Sequence, residues 1–212
     1  MENNKIFSKV YGWMFIGLLI SFITGYFVST NTNMVYNIYN AYWILAIVEI
    51  VISIWLSAGI QKMQATTAKI LYAFYSFLTG LTLSLIFVVF KLDSIILVFG
   101  ITSAMFAIMA LIGTLTNIDL TKLGTILFMG LIGIIIASLI NMFIGSQTFD
   151  LGITIIGIVI FTLYIAYDVQ KVKLIAQNLE EDKAAIICAF ELYLDFINLF
   201  IKLLKLFGKR DD

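Results

Sequence analysis

The chain has 212 residues, of which 62% are hydrophobic and 12% charged, and its formal net charge is zero. A soluble domain is roughly half apolar and a quarter charged, so this composition belongs to a polytopic membrane protein, and the charge balance excludes a generally basic nucleic-acid binder. The sequence has no histidine, which excludes His-ligated metal sites and His-based catalysis, and its single cysteine, Cys188, excludes an internal disulfide.

A bilayer core takes about 20 mostly apolar residues per helix. The first span is predicted over residues 10–29. The charged start before it has the look of a signal peptide, but the apolar run is too long and no small-residue cleavage site follows, so the span is read as retained. A linker over residues 30–40 carries four asparagines and no charge. The second span, 41–60, holds Glu49 near its middle, with no charged neighbour in sequence. An acid at that depth is expected to be protonated, to face a pore, or to pair with a lysine of another helix. Spans follow over residues 70–90, 94–115, 123–144 and 151–167. Their small residues, Gly80, Ser84, Gly100, Ser103, Ala107, Gly124, Gly130, Gly133, Ala137, Gly152 and Gly157, are expected to let helices approach closely. The seventh span covers residues 184–207. The chain has no proline, so any helix break must come from glycine or local polar groups. Short linkers imply one transmembrane domain over residues 1–212, an all-α bundle of seven sequential helices. Continuous rather than alternating apolar runs argue against a strand barrel.

Lysine placement gives an orientation. The N-terminal tail and the even linkers hold Lys5, Lys9, Lys62, Lys69, Lys122, Lys171, Lys173 and Lys183, and the odd linkers hold only Lys91. That asymmetry puts the N-terminus in the cytoplasm. Seven crossings then leave Lys202, Lys205, Lys209 and Arg210 on the far side, against the same rule. Either the last helix is inserted for functional reasons or it does not cross fully.

The last span carries the most informative pattern. At 3.6 residues per turn, Glu191, Asp195, Asn198, Lys202 and Lys205 share one narrow sector of an otherwise apolar helix. Such a stripe should face protein groups; the competing arrangement is an amphipathic helix lying on the membrane surface. Asp168 closes the sixth span. Asp195 lies roughly 16 Å inward from the start of the seventh span at 1.5 Å per residue, and Glu191 about 6 Å shallower. Carboxylates from adjacent spans can therefore meet inside a bundle, while the plain alternative for Asp168 is a solvated helix end beside Lys171.

Oxygen-only ligands suit hard cations such as calcium, and two carboxyls within hydrogen-bond reach titrate as a pair that holds one proton between them. Such a pair senses pH without histidine. At higher pH it is doubly charged and attracts a cation; at lower pH it is neutralised and bonds across helices. An intramembrane aspartyl hydrolase also uses one aspartate on each of two adjacent spans. Its second aspartate follows Gly-x-Gly, which Leu192-Tyr193-Leu194-Asp195 does not match. A membrane interaction protein that modulates a protease or a stress or death pathway is the third class.

Tyr167-Asp168-Val169-Gln170 resembles the Tyr-Asp-x-Gln motif of the transmembrane Bax inhibitor motif family. Ala189-Phe190-Glu191-Leu192-Tyr193-Leu194-Asp195-Phe196-Ile197-Asn198-Leu199-Phe200 resembles its final-helix signature, and Gly80-Leu81-Thr82-Leu83-Ser84 its third-helix pattern. The resemblance is to the short bacterial members and covers essentially the whole chain; the final-helix run is the specific part. It implies a seven-helix bundle with the last helix central and a pH-sensitive calcium leak. It maps the family's sensor aspartates, which line the cation path and would touch calcium, onto Asp168 and Asp195, and its second-helix acid onto Glu49. Glu191 and Asn198 are secondary candidates on the path. The implied partners are calcium ions, protons and the bilayer of a plasma (inner) membrane, with no nucleic acid, no cofactor beyond the permeant or bound calcium, no enzymatic activity, and a monomer as the expected form. One departure stands out. The family often has an arginine after Leu-Ser-Ala that latches the sixth-helix aspartate, and here Leu56-Ser57-Ala58 is followed by Gly59. Lys62 is the possible substitute latch, without the planar fork of a guanidinium.

Overall fold

A computed structural model describes residues 2–211, with side chains from residue 5. Seven helices follow one another: α1 (Glu2–Ser29), α2 (Thr32–Gly59), α3 (Ala65–Val89), α4 (Leu92–Leu115), α5 (Thr121–Ile144), α6 (Gln147–Asn178) and α7 (Glu181–Phe207). All seven are long and apolar enough to cross a membrane, and the chain is a multi-pass membrane protein. The only strand-like pairing among the described residues is an isolated bridge between Phe90 and Arg210.

The expected spans sit inside longer helices. The asparagine-rich stretch at residues 30–40 is helical from Thr32, not a linker. Asn31 caps α2, its side chain accepting from the Met34 N–H at 3.1 Å, so one asparagine starts the helix and the others ride in it. α6 runs eleven residues past the expected end at Tyr167, to Asn178. The charges after Asp168 end the apolar run without ending the helix, because Lys, Leu, Ala and Gln are good helix formers. With no proline available, α5 stops at Gly145, whose φ of 66° closes a left-handed cap with its N–H on the Asn141 carbonyl.

The chain forms two compact units, and α7 contributes to both. The first contains residues 2–92, 172–193 and 210–211, hence α1 to α3, the end of α6 and the first half of α7. Its centre is aromatic. Phe190 and Tyr193 of α7 meet Tyr72 and Tyr75 of α3 edge to face, with ring centroids 5.0–6.1 Å apart. A Cβ on Gly80 would lie 2.8 Å from the Ser21 carbonyl, and one on Gly17 would overlap the Tyr72 ring, so glycine permits the α1–α3 approach at both places.

The second unit contains residues 93–171 and 194–209, hence α4, α5, most of α6 and the rest of α7. Leu127 and Ile134 of α5 pack on Ile153 and Ile160 of α6. Phe196 and Phe200 of α7 stack edgewise on Phe99 of α4, and Phe106 of α4 joins Phe196. Gly113, Gly124 and Gly130 mark the closest approaches to α6, at Ala166, Tyr167 and Ile160. Gly100, Gly133 and Gly152, expected at close contacts, face open space instead; in an apolar helix a glycine on the lipid side looks the same in sequence as one at a contact.

α7 is the buried helix. Of its most apolar window 78% is buried, against 11% to 44% in the other six. A helix lying on the membrane surface would leave its polar face in water, so this burial excludes that arrangement and accords with a last helix at the core.

Candidate functional site

Asp168 projects from α6 beneath a set of contacts that fix its turn of helix. Just before it, α4 presses its Gly113 onto the Ala166 backbone, and α5 presents Gly124 to the Tyr167 ring, where a Cβ would lie 2.6 Å from the ring. Gln170 clamps the α4–α5 loop from the other side: its Oε1 accepts from the Leu120 N–H and its Nε2 donates to the Ile118 carbonyl, both at 2.8 Å. Those two bonds tie α6 to backbone groups of the loop that joins α4 to α5. The Tyr-Asp-x-Gln run is thus a mount: the tyrosine and glutamine hold α6 while the aspartate points inward.

Asp168 and Asp195 meet. Both are buried, each about 6% exposed, and the Asp195 carboxyl lies within hydrogen-bonding reach of Asp168. Lys171, one turn on along α6, donates to Asp168 Oδ1 at 3.1 Å, and its ammonium sits 5.1 Å over the Tyr167 ring. Two carboxyls in contact make a hydrogen bond only when one proton lies between them. In that state the pair carries one negative charge, and the Lys171 ammonium balances it. The solvated helix end considered for Asp168 is therefore excluded.

The other expected residues fall elsewhere. Asn198 is half-buried on the Asp195 face of α7, and its Nδ2 donates to the Leu194 carbonyl of its own helix at 2.8 Å. Glu191 is half-buried one turn before Asp195, on the part of α7 that belongs to the first unit. Glu49, also in the first unit, is half-buried against α3, with its Oε1 3.2 Å from Thr82 Oγ1. Thr82 Oγ1 is also 2.9 Å from the Thr79 carbonyl. The Thr82 hydroxyl is thus shared between the Glu49 carboxyl and the Thr79 carbonyl. Lys62 is exposed on the α2–α3 turn, whereas the cation held by Asp168 comes from its own helix. Cys188 is buried, as expected of a small packing residue.

Among the described residues no group of three or more Asp, Glu or Cys side chains is gathered as a metal site. Two carboxyls supply fewer oxygens than the six to eight that calcium takes.

Sequence reasoning missed the part played by Lys171, which it placed beside Asp168 only as a solvated neighbour, and the pressing role of Gly113. The i,i+3 spacing of Asp168 and Lys171 was the signal for the first. Gly113 had none.

The family described as inhibitor of apoptosis-promoting Bax1 matches residues 3–212. An uncharacterised protein of Borreliella burgdorferi is 41% identical over 216 residues, covering 98% of this chain and 93% of the relative. The inner membrane protein YbhL of Escherichia coli K12 is 40% identical over 212 residues, covering 96% and 91%. The protein RP147 of Rickettsia prowazekii is 39% identical over 214 residues, covering 96% and 89%. The family's description and these relatives' names include no enzymatic activity.

Proposed function

This chain belongs to the family of inhibitors of apoptosis-promoting Bax1, and from that premise we propose that it is a calcium leak channel regulated by pH through the Asp168–Asp195 pair. The observation that carries the reading is the contact of two buried carboxyls from α6 and α7, with Lys171 beside them. With one proton shared, the pair and the lysine are neutral together. As pH rises and that proton leaves, two negative charges face each other; they repel, and together they attract a divalent ion more strongly than either does alone. Calcium affinity at the pair therefore rises with pH, and the repulsion works to part α6 from α7. A calcium ion passing through takes oxygen from Asp168 and Asp195 and completes its shell from water and backbone carbonyls. Glu49 and Glu191 are the further acids of the path, and Asn198 the neutral polar group beside the pair.

The membrane we assign is the inner, or plasma, membrane, with the N-terminus cytoplasmic. The lysine asymmetry supports that orientation, and the printed name of the Escherichia coli relative supports the membrane.

The test is calcium flux into proteoliposomes holding the purified protein alone, measured across pH with an entrapped dye. The wild-type protein should leak calcium in a pH-dependent way. Asp195→Asn removes one member of the pair, and flux should fall about tenfold, the scale of 1.4 kcal/mol of lost cation stabilisation, with a flattened pH profile. Wild-type flux absent at every pH, or unchanged in Asp195→Asn, overturns the channel reading. The first result would favour an interaction protein that acts only with a partner.

A further inference from the structure

The second unit contains a charge that the pair does not use. α6 and α7 run antiparallel there and touch at three levels: Asp168 with Asp195, Gly157 with Lys202, and Asp150 with Lys205. Lys202 follows Asp195 by seven residues, two turns and about 10 Å along the axis, and returns to the same face. Asn198 lies between them on that face. The Lys202 stem runs against α6 where Gly157 has no side chain; a Cβ there would lie 3.1 Å from Lys202 Cε and 3.3 Å from Cδ. Glycine leaves a trough on α6, and the lysine lies in it half-buried. Asp150, whose field reaches Lys202, is bonded to Lys205, and the Asn198 amide nitrogen is bonded to the Leu194 carbonyl. An ammonium inside a spanning helix is costly and marks a place where ions or charges matter.

We propose that Lys202 is the specificity-determining charge of the cation path: a fixed ammonium that retards divalent ions more than monovalent ones between the Asp168–Asp195 pair and the Phe207 end of α7. The proposal rests on the channel reading above. Rings of fixed charge set selectivity in pores because repulsion scales with the charge of the passing ion, so calcium feels Lys202 twice as strongly as potassium does. The pair attracts the ion and Lys202 limits how fast it leaves, which makes the protein a slow leak rather than an open pore. The glycine trough keeps the ammonium on the path: it gives the stem a bed on α6 in place of an extended reach toward the interface.

The experiment uses the full chain in proteoliposomes, with calcium and potassium fluxes read by separate entrapped dyes. Lys202→Met keeps the length of the stem and removes the charge; calcium flux should rise about fivefold and potassium flux by about twofold, following the ratio of the charges. Lys202→Arg keeps the charge, and both fluxes should stay within about twofold of wild type. Helical circular dichroism and elution volume verify the fold, and Lys202→Gln replaces Lys202→Met if that variant fails to fold. If wild type leaks with its pH profile and the neutral variant matches it in both ions, Lys202 reaches the interface and is screened there, and this inference falls while the channel reading stands. Equal proportional rises in calcium and potassium mean a loosened bundle and also overturn it. A wild type silent at every pH overturns both readings.

Discussion

From Ala184 to Tyr193, α7 is held mainly by rings and hydroxyls, with Glu191 as its one charge; from Leu194 to Phe207 charges and an amide line one face. In the first half, Phe190 and Tyr193 are fully buried against Tyr72 and Tyr75, and Tyr193 Oη is 2.6 Å from Ser21 Oγ. Its starting turn is pinned as well. Asp182 takes Lys9 at 2.8 Å and Lys69 at 2.6 Å, Glu181 takes Lys9 at 2.9 Å, and the Lys69 ammonium lies 5.8 Å over the Trp13 ring. Acids in a first turn also suit the positive end of the helix dipole. In the second half, Asp195, Asn198, Lys202 and Lys205 fill one face, and only the opposite face is aromatic, through Phe196 and Phe200. One helix thus combines an anchor and a charged working surface. Neutral hydrogen bonds and ring contacts do not titrate near pH 7, so the aromatic part of the anchor is unchanged where the charged face responds.

The largest effect expected on that comparison comes from emptying the anchor. Phe190→Ala deletes a ring that is 0% exposed, and such truncations cost about 3–5 kcal/mol in well-packed cores. Thermal unfolding in detergent should show a lower midpoint, while the flux that remains per folded molecule keeps its pH profile. A variant with wild-type stability and no pH response would show that the first half of α7 takes part in sensing, and the division between anchor and surface would collapse.

A smaller loss follows from Tyr193→Phe, which keeps the ring and removes the bond to Ser21. Side-chain hydrogen bonds between membrane helices average about 0.6 kcal/mol. Ser21 keeps carbonyl partners at Ser76 (2.7 Å) and Gly17 (3.0 Å), so no orphan is left to add to the cost. Adding Ser21→Ala to this variant should cost less than Ser21→Ala alone, by about the energy of the lost bond, in a double-mutant cycle. Full additivity would mean that Ser21 and Tyr193 stabilise the anchor separately.

The seven spans were legible because membrane helices announce themselves by apolar length, and the α7 stripe because charge in such a run is rare. Asp168 and Asp195 could be singled out on the same ground, as acids in or beside long apolar runs, and both are buried. What was illegible has physical causes. Helix ends outside the bilayer are set by caps and propensity rather than hydropathy, so α6 ran on past Tyr167 and Asn31 turned out to be a cap. Glycines at contacts and glycines facing lipid have the same signature, so Gly113 was overlooked while Gly100 and Gly133 were overvalued. The division into two units left no trace in composition, since α7 crosses it between Tyr193 and Leu194 without a break in helix or hydropathy.

The least effect is expected from Gly59→Arg, which tests how the charged surface is restrained. A side chain fits there: the nearest atom to a Cβ is Trp55 Cδ1 at 3.1 Å, on a ring that is 55% exposed and free to yield. The family resemblance assigns an arginine at this point to the sixth-helix aspartate. Asp168 Oδ1 already has Lys171 at 3.1 Å, partly buried and fixed by its place one turn along the same helix. On that assignment a guanidinium competes with Lys171 for the carboxyl, so calcium flux should fall less than in Asp195→Asn, by about twofold, on the scale of the 0.3–0.5 kcal/mol typical of a helical ion pair. In a Lys171→Gln background the same substitution should act more strongly, because the carboxyl then has no cation of its own. Equal effects in both backgrounds would mean that Lys171 does not restrain Asp168, and the balance of proton, carboxyls and ammonium drawn above would have to be redrawn without it.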